Sequence, residues 1–160
     1  MSGPALFEET QRFLSNPWAL LGAAGALAGC GSVLLAIGSR GDLFQPAGLL
    51  GLVLGGGVAA LLGVGRLRTE VRPDGLYVRL VPFTRQHCYA WDVIVSAKAR
   101  RYRPILEYGG WGIRFGRSGK AYNVYGNRGV QLEFASGKKL LIGSQRPEAL
   151  ALAIAAARGS

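Results

Sequence analysis

Two long runs of residues without a charged side chain constrain this chain more than any other feature. Residues 13–39 and 43–65 contain no Asp, Glu, Lys, Arg or His. About 20 helical residues, at roughly 1.5 Å of rise per residue, span a hydrocarbon core of about 30 Å. The two runs therefore predict a transmembrane helical hairpin over residues 17–65, with one helix at about 17–38 and the other at about 44–65.

Basic residues around the hairpin predict its orientation. Arg12 alone precedes it and Arg40 alone lies in its turn, whereas several arginines follow it closely: Arg66, Arg68, Arg72, Arg79 and Arg85. Lys and Arg concentrate in the cytoplasmic flanks of membrane helices. We therefore expect residues 1–16 to form a cytoplasmic lead-in and both termini to be cytoplasmic. Arg66 and Arg68 would then lie at the membrane surface.

Small residues recur at every fourth position of both runs. Membrane helices associate through close contact, which small residues that face each other permit. The positions predicted to pack in this way are Gly25, Gly29, Gly51, Gly55, Ala59 and Gly63. The first helix carries two such rows. One row can pack against the second helix, and the other leaves a face for a second copy of the chain, so formation of a homo-oligomer is an open alternative.

A lipoprotein cleavage site is the alternative interpretation of the first run. The sequence Leu27-Ala28-Gly29-Cys30 has the small-residue pattern of such a site. Two glutamates in the preceding segment and an apolar run that continues beyond Cys30 argue against cleavage. Cys88 is the only other cysteine, and the two cannot plausibly meet, so we expect no disulfide.

The remainder, residues 66–160, is predicted to be one small β-rich domain. It contains 17 Lys and Arg against 6 Asp and Glu, a net charge of +11. Apolar and polar residues alternate over short runs separated by turn residues, as is typical of antiparallel strands. These runs lie at 67–72, 76–80, 85–89, 93–100, 111–115, 130–134 and 139–142. An amphipathic helix is predicted at about 147–157, with Pro147 in its first turn.

A family resemblance is carried by the segments Tyr102–Arg114, Ala121–Val124 and Gly126–Leu132. Its most specific parts are the strings Gly109-Gly110-Trp111-Gly112-Ile113-Arg114 and Gly126-Asn127-Arg128-Gly129-Val130. The chain from about Thr69 to Ala157 resembles bacterial membrane proteins of uncharacterised families with a pleckstrin-homology-like (PH-like) domain. The resemblance implies an α+β fold after the hairpin, a partly open antiparallel β-barrel of about seven strands capped by a C-terminal helix. It offers no established catalytic residues to carry over. With the hairpin and its basic flanks, we expect a location in the bacterial inner membrane.

The strand count leaves one question open. Residues 121–124 make an eighth strand-like run. Either this run is an excursion beside the barrel, or the weak run at 85–89 is not a strand.

The residues form no recognisable catalytic or metal-binding set. His87 and Cys88 are adjacent in a predicted strand, where neighbouring side chains point to opposite faces. Two cysteines and one histidine at these positions cannot close a zinc site. Residues 116–120 end like a phosphate-binding loop but lack its first glycine and its final Ser or Thr. We therefore predict no enzymatic activity, no metal and no cofactor.

Aromatic and basic residues are interleaved between residues 101 and 128. Guanidinium groups and aromatic faces together can bind phosphorylated headgroups, peptides or stacked bases. The candidate binding residues are Arg101, Tyr102, Arg103, Trp111, Arg114, Tyr122, Asn127 and Arg128. The competing interpretation is structural: the aromatic rings fill a small core, and Arg114 either pairs with Glu107 or hydrogen-bonds to backbone carbonyls.

Together these features predict a non-enzymatic integral membrane protein whose basic cytoplasmic module acts as a scaffold or sensor. The expected partners are the lipid bilayer, anionic lipid headgroups and an unidentified protein. Nucleic-acid binding is the alternative, disfavoured because an anionic membrane surface already accounts for the basicity.

Overall fold

The computed structural model describes residues 5–15, 17, 20–21, 24–25, 29, 31, 53, 56–57, 60, 63–116 and 118–159. The chain divides into two compact units, one made of residues 1–12 and 66–160 and the other of residues 13–65. In the second unit, Phe13–Ser15 form a short 3-10 helix.

The predicted transmembrane hairpin is corrected by the structure. No helix formed by the described residues is both long enough and apolar enough to cross a membrane. The two helices whose bounds the described residues define contain 5 and 12 residues, and 12 helical residues reach only about 18 Å. Most of residues 17–38 and 44–65 lie outside the described residues. The predicted location in the bacterial inner membrane, with both termini cytoplasmic, depended on the hairpin and is corrected with it.

The small residues predicted to pack helix against helix are only partly described. A Cβ atom added at Gly25, Gly29 or Gly63 would meet no atom of the described residues within 4 Å. Gly51, Gly55 and Ala59 lie outside the described residues.

The predicted barrel of about seven strands is also wrong, because the described residues form nine strands in two sheets. The strands are β1 (Phe7–Arg12), β2 (Arg66–Arg72), β3 (Gly75–Val81), β4 (His87–Tyr89), β5 (Ile94–Arg101), β6 (Gly112–Gly116), β7 (Gly119–Asn123), β8 (Arg128–Phe134) and β9 (Lys139–Gly143). Two helices with bounds among the described residues are α1 (Pro104–Tyr108) and α2 (Pro147–Arg158), and Trp91–Val93 form a 3-10 helix.

The two sheets differ in how their strands pair. The first sheet has the order β1-β2-β3-β4, and each neighbouring pair is antiparallel. The second has the order β5-β8-β9-β7-β6, and it contains one parallel pair, β7 with β9. One alternative from the sequence places residues 121–124 in an excursion beside the barrel. They lie mostly in β7, inside the second sheet.

Strand β1 accounts for part of the difference in strand count. It pairs with β2 in register from Phe7 opposite Val71 to Arg12 opposite Arg66. Its burial alternates strictly, with Phe7, Glu9 and Gln11 buried. Two of these three buried residues are polar, so the hydrophobic alternation by which strands are recognised is absent.

The main core lies between the sheets. The first sheet contributes the buried residues Leu67, Val71, Leu76, Val78 and Leu80, and the second contributes Ile94, Val130, Leu132, Leu140 and Ile142. Helix α2 packs against β5, β8 and β2 and adds Leu150 and Ile154. Side chains of one strand alternate between faces, so this core uses one face of each sheet.

The other face of the second sheet carries a smaller core. Tyr102 and Tyr108 cover Ala121 and Leu141 there, and the two tyrosine rings meet edge to face with centroids 6.0 Å apart. Helix α1 brings Tyr108 to this position. The helix ends at Gly109, whose φ of 72° lies in the left-handed region that favours glycine.

Candidate ligand pocket

A cavity opens between the two sheets on the side where β4 ends the first sheet. Its volume is about 520 Å³, within the range of about 300–1,000 Å³ common for small-molecule sites. The residues that line it are Tyr89, Val93, Lys120, Phe134, Ala135, Ser136, Lys138, Lys139 and Leu140. Most of the lining surface is apolar.

Two aromatic residues from different sheets form the apolar wall. Tyr89 pairs in register with the buried Leu76, so its side chain points to the core face of β4. Phe134 ends β8, and its ring centroid lies 5.2 Å from that of Tyr89. Leu140, which is 2% exposed, lies deeper. Because β4 is only three residues long, the first sheet stops here and leaves this part of the second sheet uncovered.

Three lysines carry all the formal charge of the lining. Lys120 places its Nζ 4.6 Å from the centroid of the Tyr122 ring and 5.7 Å from that of the Phe115 ring. Lys139 pairs with Glu133 at 3.0 Å. Lys120 and Lys138 form no ion pair with any residue that the structure describes. The pocket therefore has two uncompensated positive charges beside an apolar wall.

The acidic group beside Phe134, Glu133, is already engaged. Hydrogen bonds from Lys139 and Ser96 lower the pKa of Glu133 below its ordinary value. Glu133 therefore stays ionised at neutral pH and holds Lys139, and it leaves Lys120 and Lys138 unpaired.

The tyrosines near the cavity are neutral at physiological pH. Burial raises the pKa of Tyr89 and of Tyr122 above the ordinary value. Their hydroxyl groups can thus donate or accept a hydrogen bond but bring no negative charge. His87 meets the Tyr122 ring edge to face at 6.1 Å and is not among the lining residues.

The lining groups can hold a ligand, but they offer little for bond chemistry. None of the described lining residues is Asp, Glu, His or Cys, the side chains that most often transfer protons or bind metals. Within the described part of the chain, no three such side chains lie close enough to hold a metal ion. The arrangement suits burial of an apolar body next to an anionic group.

The structure does not bring the residues predicted as a binding surface onto one face. Tyr102 and Tyr122 are buried on opposite faces of the second sheet. Trp111 is half-buried and donates from Nε1 to the Gly126 carbonyl at 3.1 Å. The Arg114 guanidinium donates from Nε to the Trp111 carbonyl at 3.0 Å.

The remaining predicted residues lie near the start of β8. Arg101 is paired in register with Arg128, and Arg128 forms an ion pair with Glu148 of α2. Asn127 is exposed, and its carbonyl accepts from the Tyr102 N–H at 2.8 Å. Arg103 is exposed at the start of α1. Arg101, Asn127 and Arg128 are therefore neighbours without an exposed aromatic partner from the predicted set.

Of the two structural roles considered for Arg114, the hydrogen bond to a backbone carbonyl is observed, at Trp111, and the pairing with Glu107 is not. Glu107 instead accepts from Arg100 Nη2 at 2.9 Å and from the Arg103 N–H at 2.7 Å. Arg100 also reaches Gln131 of β8 at 3.1 Å. This set ties α1 to the outer face of the second sheet.

The pocket residues were not singled out from the sequence. Lys138 and Lys139 follow the turn at Ser136-Gly137, which is a visible local signal. Their proximity to Tyr89 and Lys120 depends on pairing between strands that are far apart in the chain, which periodicity cannot supply.

Comparisons with family models, with curated proteins and with solved structures gave no match for the chain. The resemblance to PH-like membrane proteins therefore stays a prediction based on residues 102–114, 121–124 and 126–132.

Proposed function

We propose that the chain is a non-enzymatic binding module whose ligand combines an apolar body with an anionic group. The observation that supports this proposal is the cavity of about 520 Å³, whose described lining residues join an apolar wall to three lysines and include no acidic side chain. Binding of such a ligand would let the module act as a sensor or scaffold.

The apolar part of the ligand supplies most of the expected affinity. Burial of each methylene group contributes about 0.8 kcal/mol, so a chain of eight to ten carbons contributes about 6–8 kcal/mol before a cost of association of at least about 4 kcal/mol is subtracted. The carbon chain alone is therefore expected to bind in about the millimolar range. Lys120 and Lys138 then decide the sign of the charged end, because each attracts an anion and repels a cation.

Decanoate, decanol and decyltrimethylammonium test this selectivity, since they share one chain and differ in charge. We expect titration calorimetry with the full chain to show the tightest binding for decanoate and the weakest for the cation. Lys120→Gln and Lys138→Gln should each weaken decanoate binding by about threefold to tenfold and leave decanol unaffected.

Lys98→Gln provides the matched control. Lys98 is an exposed lysine of β5, opposite Gln131, and is not part of the lining. This variant should bind decanoate like the wild type. Equal weakening by all three substitutions would indicate attraction by net charge alone, and equal binding of the three probes would contradict the proposal.

The observed geometry favours this function over nucleic-acid binding. Single-stranded nucleic acids bind to exposed aromatic faces, and two of the predicted aromatic residues, Tyr102 and Tyr122, are 3% and 1% exposed. A single-stranded oligonucleotide that bound with steep salt dependence, and did so in the Lys120→Gln variant as well, would support the alternative.

A further inference from the structure

The outer face of the first sheet opposes residues of like charge. Glu8 of β1 faces Glu70 of β2, and Arg12 faces Arg66. Arg68 of β2 faces Arg79 of β3. Directly opposed like charges destabilise a sheet unless a counter-charge lies between them.

The acidic pair has its counter-charges within the protein. Arg68 contacts Glu8 at 2.9 Å and Glu70 at 2.6 Å. Arg72 contacts Glu70 from the other side at 2.5 Å. This half of the face is therefore a closed network in which each carboxylate has a cation.

The arginine half has no such counter-charge among the residues that the structure describes. Arg12, Arg66 and Arg79 are all exposed, and none of them forms an ion pair or a side-chain hydrogen bond with a residue that the structure describes. The register places Arg12 opposite Arg66 and places Arg79 one diagonal step from Arg66. Cβ atoms at such positions lie about 5–8 Å apart. Three exposed arginines thus share one face of the first sheet, with Arg66 between Arg12 and Arg79.

We propose that Arg12, Arg66 and Arg79 form a binding site for a phosphoryl anion, separate from the cavity between the sheets. Three cations call for a multivalent counter-ion, and guanidinium groups match phosphate oxygens in pairs of parallel hydrogen bonds. The anion would neutralise the three arginines, as Arg68 and Arg72 neutralise Glu8 and Glu70. A free phosphate compound and a phosphate headgroup share this chemistry.

Titration of the full chain with pyrophosphate at low salt tests the site. We expect saturable binding, weakened about tenfold in Arg66→Gln and in Arg79→Gln, because a hydrogen bond between charged groups is lost in each. Arg103→Gln removes the same charge at the start of α1, on the second sheet's side of the molecule, and should bind pyrophosphate like the wild type. Decanoate binding should be unchanged in all three variants, which separates this site from the cavity.

Vesicles with and without phosphatidic acid identify the source of the phosphate. Tighter binding to pyrophosphate than to these vesicles, with the same dependence on Arg66 and Arg79, supports a free ligand. Tighter binding to the vesicles that contain phosphatidic acid than to pyrophosphate, with the same dependence on Arg66 and Arg79, supports a headgroup. Wild-type affinity in Arg79→Gln, an equal loss in Arg103→Gln, or binding to neither probe would overturn the proposal.

Discussion

The Glu9 side chain fixes the position of β1. Its carboxylate is 8% exposed and accepts from the Ser144 hydroxyl at 2.6 Å, from the Gln145 N–H at 2.8 Å and from the Gln11 amide at 2.9 Å. Gln11 also donates to the Gly143 carbonyl at 2.7 Å. One buried acidic group therefore connects the first strand of the chain to the segment between β9 and α2.

We expect Glu9→Ala to lower the free energy of unfolding by about 3 kcal/mol, because several buried donors lose their acceptor. Chemical denaturation of the full chain measures the change. Glu8→Ala is the control: Glu8 is exposed and pairs with Arg68, so its loss should cost less than about 1 kcal/mol. Equal effects of the two substitutions would contradict the role given to Glu9.

Tyr102 should make the stability depend on alkaline pH. Burial raises the pKa of Tyr102 to about 12, against about 10 in an unfolded chain. The folded state thus binds this proton more tightly. The resulting stability is present below pH 10 and is lost as the pH rises towards 12.

The free energy of unfolding, measured from pH 8 to 12, should fall about 2 kcal/mol less in Tyr102→Phe than in the wild type. Tyr125→Phe, which changes a half-exposed tyrosine, is the control, and its free energy of unfolding should fall as much as that of the wild type. Parallel curves for wild type and Tyr102→Phe would refute the expectation.

Strand positions were predictable where one face of the strand is apolar. In β3 the buried Leu76, Val78 and Leu80 alternate with more exposed residues, and the run at 76–80 identified it. In β5 the register shifts between Ile94 and Ser96, which turns Val95 outward to 57% exposure. A bulge of this kind reverses the apparent alternation, so the alternation within the run at 93–100 does not reveal that Ile94 is buried and Val95 is exposed.

The pairing of β7 with β9 depends on a close approach at Gly119. Its φ is 94°, and a Cβ atom there would collide with the carbonyl of Lys139. Gly137 also has a positive φ, 76°, but a Cβ there would meet no described atom within 4 Å. A substitution at Gly137 therefore measures the cost of a positive φ alone, whereas one at Gly119 adds the cost of a steric overlap.

Gly137→Ala should cost about 1 kcal/mol of unfolding free energy, the usual penalty for a left-handed alanine. Gly119→Ala should cost at least about 3 kcal/mol, because steric overlap with the β9 backbone adds to that penalty. Denaturation of both variants under one set of conditions gives the comparison. A loss at Gly119 no larger than that at Gly137 would argue against the close approach.

At the scale of the whole molecule, the site was less predictable than the strands. The aromatic and basic run at 101–128 was apparent because its residues are close in sequence, yet the structure distributes them over two faces and a loop. The pocket joins Tyr89, Lys120 and Phe134, which become neighbours only after two sheets have formed and packed. Local periodicity carries no information about that packing.

We propose that a ligand with an apolar body and an anionic group occupies the cavity between the sheets. Chemical-shift mapping of the full chain during titration with decanoate tests it most directly. We predict that the largest amide shifts will fall on Tyr89, Val93, Phe134 and Leu140, with saturation at one ligand per chain. Shifts confined to other surfaces, or none at these four residues, would contradict the account.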